Sequence, residues 1–303
     1  MNSTLPQTLS WQRITPQLQQ EYQRIFQQAP GRAADRSFAN LYLWSDTYHA
    51  SIAFAENRIF VRFSANGTGF SYLFPLGSGD LDTALSAIRE ECMAAGTPFT
   101  LVGVTEEELT LLQKSKHPIL AVNEARDMAD YLYDATSLAT LSGKKLHAKR
   151  NHINAFSAQN NWSIRPLTAQ DAPLCREILA AWSAERESDS TAAEQAAIER
   201  AFGAFDTLLL EGALLAVDGT PVAFTVGSMT TPDTLDVHFE KALPTANGAF
   251  PTINREFVRM MQAKFPTLQW INREDDMGLE NLRRAKLSYR PALLLHKHRV
   301  VMA

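Results

Sequence analysis

The chain has 303 residues, 45% of them hydrophobic and 20% charged, with a formal net charge of −4. These values exclude a fibrous or largely disordered chain, and they exclude a protein that coats nucleic acid by bulk positive charge. At roughly 100–200 residues per domain the length gives two domains.

After a polar, Gln-rich lead-in, residues 50–54 and 58–63 alternate apolar and polar around Glu56-Asn57, the pattern of a hairpin, and 70–74 follows as a third strand. Asp80 caps a periodic segment through Leu81, Leu85, Ile88 and Cys92 that stops at Gly96. Residues 99–102 read as a buried strand, and Thr105 with Glu108 forms a capping box for the next helix. Segments at 128–133, 136–159 and 162–166 come next, with Thr168 and Asp171 boxing another helix. The turn signal Asn160-Asn161 places the domain boundary there, giving 1–160 and 161–303.

In the second half, strands at 212–217 and 221–229 flank Asp218-Gly219, a two-residue hairpin turn, and 234–240 supplies a third strand. A helix at 251–264, a strand at 268–272, a helix at 278–287 and a last strand at 292–301 complete the chain. Strand, strand, strand, helix, strand, helix therefore occurs twice, and two similarly built α/β halves are expected. The apolar run 292–295 falls far short of the roughly 20 residues that cross a bilayer, and no signal segment opens the chain. A cytoplasmic protein is expected, with Cys92 and Cys175 as buried small hydrophobes.

Three constellations carry candidate chemistry. Lys144, Lys145, His147, Lys149, Arg150 and His152 gather around an apolar stripe of Leu146, Ile153 and Phe156. Such a helix holds a polyanion, whether a tRNA backbone, a nucleotide phosphate or a lipid headgroup, unless it is only a solvated basic face. Alternation in the strand 235–240 puts Asp236, His238 and Glu240 on one face, where a carboxylate beside imidazole can take a proton from an attacking amine or hydroxyl. The plain alternative is a half-exposed strand with a polar outer side. Asn272, Arg273, Glu274, Asp275 and Asp276 interrupt an apolar strand where a helix begins, a common ligand position at the carboxyl ends of strands, though helix capping also explains the two aspartates.

No metal set is expected, because His238 and Glu240 have no second pair at recognisable spacing. Ser71, Ser228 and Ser288 lack a nucleophile elbow, and there is no Walker loop and no Gly-x-Gly-x-x-Gly.

Tyr131-Leu132-Tyr133-Asp134, the basic segment from Leu141-Ser142-Gly143-Lys144-Lys145 to Asn154, Asn272-Arg273-Glu274-Asp275-Asp276-Met277-Gly278, and Leu282-Arg283-Arg284-Ala285-Lys286-Leu287-Ser288-Tyr289-Arg290-Pro291 together resemble the soluble catalytic domain of phosphatidylglycerol lysyltransferase and its bacterial relatives. The resemblance implies tandem acetyltransferase-like (GNAT) domains with mixed sheets, and aminoacyl or acyl transfer with an aminoacyl-tRNA as donor. It implies that the segment 144–150 holds the donor's phosphates and that Lys286 and Tyr289 lie beside the reacting ester. The acceptor would be a small molecule, a lipid headgroup or a peptide. On this basis His238 or Glu240 is the expected base, Tyr289 the acid, and Lys286 or Arg273 the group that offsets developing charge. Ala246-Asn247-Gly248-Ala249 departs from the loop with which acetyltransferases cradle coenzyme A, leaving one glycine, Gly248. Acetyl-coenzyme A is therefore the alternative donor, and a non-catalytic module binding an anionic ligand or a partner is the alternative function.

Overall fold

Both expected hairpin turns form, with left-handed φ angles of 46° and 57° at Glu56 and Asn57 and of 48° and 80° at Asp218 and Gly219. This geometry matches the right-handed twist of the strands it joins. The structure, a computed structural model, describes residues 9–64, 69–184 and 189–303. It divides into two units, one running to Ala129 and taking back Leu295–Ala303, the other Asp130–Leu294.

The first unit contains β1 (Gln12–Arg13), α1 (Gln19–Phe26), α2 (Phe38–Trp44), β2 (Ser51–Ala55), β3 (Arg58–Phe63), β4 (Ser71–Leu73), β5 (Leu76–Gly77), α3 (Leu81–Ala95), β6 (Thr100–Thr105), α4 (Glu106–Lys114) and β7 (Ile119–Glu124). The second contains β8 (Asp130–Asp134), α5 (Ala135–Thr140), α6 (His147–Gln159), β9 (Trp162–Pro166), α7 (Ala172–Ser183), α8 (Asp189–Gly203), β10 (Glu211–Val217), β11 (Thr220–Thr231), β12 (Thr234–Ala242), α9 (Ala249–Lys264), β13 (Trp270–Asn272) and α10 (Glu280–Leu287), and ends in β14 (Leu293–Leu295). The final strand, β15 (Lys297–Met302), belongs to the first unit.

The sheets run β1-β2-β3-β4-β6-β15-β7 and β9-β10-β11-β12-β13-β8-β14. They correspond position by position. In each, four antiparallel strands are followed by one parallel pair, β4 with β6 and β12 with β13, and then by an antiparallel strand. A parallel neighbour needs a crossover connection, supplied by α3 in one unit and α9 in the other. The twofold recurrence of element order is thus a recurrence of architecture.

Two expectations change. The apolar run at the chain end is two strands in different sheets, because the backbone leaves the ladder at His296. The units also divide at Ala129/Asp130 rather than near Asn160, since β8 pairs with β13 and Leu146 and Ile153 pack in the second core with Tyr131, Phe257 and Ile271. The turn at Asn160 only links α6 to β9, its side-chain amide donating to the Phe156 carbonyl at 2.8 Å.

Local signals otherwise hold. Asp80 caps α3 and a left-handed Gly96 ends it, while Thr105 and Glu108 form a complete capping box. Both cysteines are free and buried. Glu108 does more than cap: it takes a two-pronged hydrogen bond from the buried Arg36 (3.1 and 2.7 Å), which also donates to the Gly103 carbonyl at 3.0 Å. Asp35 stands 3.4 Å from Arg36 and 3.5 Å from Lys297, so the last strand joins a line of ion pairs in the first unit. Among the described residues no helix is long and apolar enough to cross a membrane.

Deleting residues 297–303 removes the strand between β6 and β7 together with the buried Lys297, Val300 and Met302. The first unit should lose roughly 5 kcal/mol or more, at about 1.5–3 kcal/mol for each buried apolar side chain plus an opened ion pair. Soluble yield and a circular-dichroism melt would measure this, and a truncated chain melting with the full one would contradict the assignment.

Candidate active site

The polar centre of the second unit is built where β12 and β13 run parallel. Strand β12 is buried on both faces, with α7 and α9 packed against it and its neighbour β11. Asp236 and His238 are therefore interior groups, not the solvent side of a half-exposed strand. A register shift between Val226 and Gly227 leaves His238 as an extra residue of β12 and brings Ser228 opposite Asp236, so that Asp236 and Glu240 lie on opposite faces of the strand.

From β13 the chain turns through 273–278 into α10. Glu274 and Met277 adopt left-handed φ angles of 56° and 50°, each costing on the order of 1 kcal/mol for a residue with a Cβ. The surroundings over-determine this loop. The Lys286 ammonium donates to the carbonyls of Arg273 (2.5 Å) and Asp275. Asn272 accepts from the Glu274 amide at 2.7 Å and donates to Asp130 at 3.1 Å. Asp276 accepts from the Tyr131 hydroxyl (2.5 Å), from the Gly278 amide (3.0 Å) and from both prongs of Arg283 (2.9 and 3.0 Å). Burial opposes ionisation of Asp276, but the bonds from Arg283, Tyr131 and Gly278 outweigh it and hold the carboxyl well below the usual range. Asp275 caps locally through the Met277 amide at 3.0 Å.

The loop delivers Arg273 and Glu274 to β12. Arg273 Nη2 donates to Glu240 at 3.0 Å, and the other Glu240 oxygen accepts from Asn254 of α9 at 3.1 Å. The guanidinium lies 5.0 Å from the Tyr289 ring and 5.9 Å from that of Tyr133. Lys149, from α6, places its ammonium 4.0 Å from the same Tyr289 ring. Arg273 Nη1 and Asn254 Oδ1 are buried without a hydrogen-bond partner. One pace along β12, His238 Nδ1 is 3.1 Å from Glu274 and 3.6 Å from Asp236, and Nε2 is 2.9 Å from Ser228 Oγ.

Burial dominates the titration of this centre. It lowers the Lys286 pKa to about 8, against the partial compensation of Glu274 and other carboxylates. It raises the Tyr289 phenol above its ordinary range, so the group stays protonated at neutral pH. It also lowers Lys149, in the same direction as the neighbouring Arg273.

Of the residues expected from sequence, Glu240, Arg273 and Tyr289 meet in one group and His238 meets Glu274 in a second, the loop 273–278 joining the two. Lys286 meets them as the peg under the loop, its ammonium committed to backbone carbonyls. The basic segment does not act as one unit. Lys144, Lys145, His147 and His152 are exposed, Arg150 turns inward to the carbonyls of Leu141 and Gly143, and only Lys149 reaches the centre. Gly248 is spent on packing: with φ at 91°, a Cβ there would stand 2.8 Å from Phe156 Cβ and 2.9 Å from the His152 carbonyl oxygen. Helix α6 therefore lies against the amino end of α9. Sequence reasoning missed Asn254, whose signal is an amide in the apolar row of Phe257, Val258 and Met261, and it missed Ser228, which only the register shift brings to His238.

Two mixed sheets of one repeated order, with a polar centre at the parallel pair of the second, define a tandem GNAT-like protein. The chain belongs to the phosphatidylglycerol lysyltransferase C-terminal family, whose model matches residues 26–300. A conserved protein of unknown function from Bacteroides thetaiotaomicron is similar across 97% of this chain and 100% of its own, with 32% identity and a TM-score of 0.91. The C-terminal domain of a putative lysylphosphatidylglycerol synthetase from Agrobacterium fabrum shares the fold at a TM-score of 0.64 and 14% identity, covering 93% of this chain and 92% of that one. A tandem GNAT protein from the clavulanic acid biosynthesis pathway does so at 0.51 and 8%, covering 97% and 98%. An uncharacterized protein of Mycoplasmoides gallisepticum is 26% identical over 193 residues, which span 62% of this chain and 60% of that relative's length.

Because Lys286 drops from its ordinary 10.5 to about 8 on folding, the unfolded chain binds more protons between those values, and stability rises with pH across that window. Lys286→Met has no such titration. Between pH 7 and pH 10 the wild type should gain about 2–3 kcal/mol relative to the variant in urea unfolding. Parallel stability curves would show that Lys286 is not buried as a cation.

Proposed function

We propose that the chain is an acyltransferase that moves an aminoacyl group from an aminoacyl-tRNA to a hydroxyl or amine acceptor, with the chemistry in the unit Asp130–Leu294. The observation that carries this reading is Arg273 Nη1, a buried charged donor without a hydrogen-bond partner, fixed by Glu240 and held beside two tyrosine rings. A fixed donor in a dry site is what a developing oxyanion needs, and it costs no reorganisation during reaction.

In this mechanism the acceptor's oxygen or nitrogen adds to the ester carbonyl, whose oxygen takes up negative charge against Arg273 Nη1. The bond to the donor's ribose oxygen then breaks. Tyr289, kept protonated by burial, gives its proton to that oxygen and regains one from the acceptor, while Lys149 beside its ring steadies the transient phenolate. Asn254 Oδ1, turned away from Glu240 by the bond its own amide makes, accepts from the ammonium of the aminoacyl group. Glu240 acts as the bracket that aligns Arg273 and Asn254. The exposed Lys144, Lys145 and His147 attract the donor's phosphates by charge.

Incubation of the full chain with a pool of labelled aminoacyl-tRNAs, and separately with acetyl-coenzyme A, tests the proposal through loss of the acyl label. Arg273→Lys keeps the ion pair with Glu240 but loses the fork, and should slow transfer by about 10²-fold with little change in melting temperature. Consumption of acetyl-coenzyme A alone would overturn the donor assignment, and full activity of the variant would overturn the role of Arg273.

A further inference from the structure

We propose that Asp236, His238 and Glu274 form a three-donor site for a divalent transition-metal cation of the zinc type, which ties β12 to the loop after β13. One carboxylate oxygen from each acid and one imidazole nitrogen lie within 4.8 Å of one another. Zinc holds nitrogen and oxygen ligands at about 2.0–2.1 Å, and a tetrahedron of that size has edges of about 3.3–3.4 Å. The observed separations, 3.1 Å from Nδ1 to Glu274 and 3.6 Å from Nδ1 to Asp236, straddle that edge.

The other side of the imidazole fits the same reading. A histidine that binds metal through Nδ1 keeps its proton on Nε2 and donates it to an oxygen, which fixes ring and tautomer. Ser228 Oγ stands at that place, 2.9 Å away. In that tautomer the Nδ1 lone pair faces two carboxylates, an arrangement that a cation between them resolves. A proton on Nδ1 instead of Nε2 gives a neutral ring that donates to Glu274 alone; a divalent cation bonds all three groups at once.

A serine nucleophile is a weaker account of the same atoms. Ser228 lies buried within β11, with no sharp strand-to-helix turn to expose its oxygen. Linear spacing concealed the donor set, because Glu274 is brought to β12 only by the loop. The left-handed backbone at Glu274 has a use here: it turns the carboxylate toward His238 while the preceding residue, Arg273, reaches Glu240.

The test is made on the purified full chain, stripped with EDTA and titrated with zinc by calorimetry, with metal counted by elemental analysis. About one ion per chain should bind, the melting temperature should rise, and cobalt in place of zinc should give the visible bands of a four-coordinate centre. Glu274→Gln keeps size and shape at a partly exposed position, and should weaken binding by about 100-fold or more and abolish the cobalt bands. His238→Gln should do the same; if it fails to fold, Glu274→Gln decides alone. Binding well below one ion per chain, or binding unchanged in Glu274→Gln, overturns the site and points to His238 joined to Glu274 and Ser228 by hydrogen bonds alone. Neither result depends on transfer activity, so the metal site and the transferase reading stand or fall separately.

Discussion

The Lys286 ammonium lies beneath the loop 273–278, and the two carbonyls it holds decide where the side chains of that loop point. With Arg273 and Asp275 anchored by their backbones, Arg273 is left to face Glu240 and Glu274 to face His238. A buried ammonium is an expensive peg, as its lowered proton affinity records. An apolar side chain of similar volume would fill the space, but it could not hold two carbonyls in a loop that already carries left-handed backbone at Glu274 and Met277. The polar interior therefore serves geometry more than stability.

Carboxylates dominate this interior. Asp130, Asp236 and Asp276 are buried, and Glu240 and Glu274 lie close by. Four partner sets divide the five acids: Asp130 is tied to Asn272, Asp276 to Arg283 and Tyr131, Glu240 to Arg273 and Asn254, and Glu274 and Asp236 share His238. Groups committed to such bonds are not free to rotate, so together they form a fixed polar array. That rigidity suits a reaction in which charge develops at one atom of a planar ester, since preorganised donors act without moving.

Much of the fold was legible because its signals are local. The Asp218-Gly219 turn, the Asp80 cap, the Thr105–Glu108 box and the glycine at 96 each act within a few residues, and each appears as read. What failed was long-range. Nothing in the run 292–302 says that its two ends join different sheets, and the turn at Asn160 looks like a boundary because a domain edge and a helix-to-strand link use the same residues. At the polar centre, simple alternation put Asp236, His238 and Glu240 on one face, but the extra residue His238 breaks that alternation and leaves Asp236 and Glu240 on opposite faces of β12; the interrupted strand pointed to Arg273 and Glu274, which reach one group each. Alternation could not tell whether that polar face met solvent or a helix, nor that six nearby basic residues would scatter, with Arg150 turned to backbone carbonyls and Lys149 alone reaching Tyr289.

The duplicated architecture gives an internal control for where chemistry belongs. The position equivalent to the 273–278 loop is the end of β6, where the first unit makes no loop: Thr105 ends the strand and caps α4 directly. Glu108, the acid that follows, is consumed twice, by its capping box and by Arg36. Asp35 and Lys297 then extend the line of charges. At the same topological point the second unit inserts six residues, strains two of them, and arranges its ions so that one prong of Arg273 and one atom of Asn254 keep their bonding capacity. Both units thus hold a buried guanidinium with one prong outside any hydrogen bond among the described residues, Arg36 Nη1 in the first and Arg273 Nη1 in the second; what differs is that Arg273 stands on a loop and Arg36 beside a helix cap. The same sheet order therefore carries a direct strand-to-helix cap in one unit and a six-residue polar loop in the other, and the difference lies in the residues that join one strand to one helix.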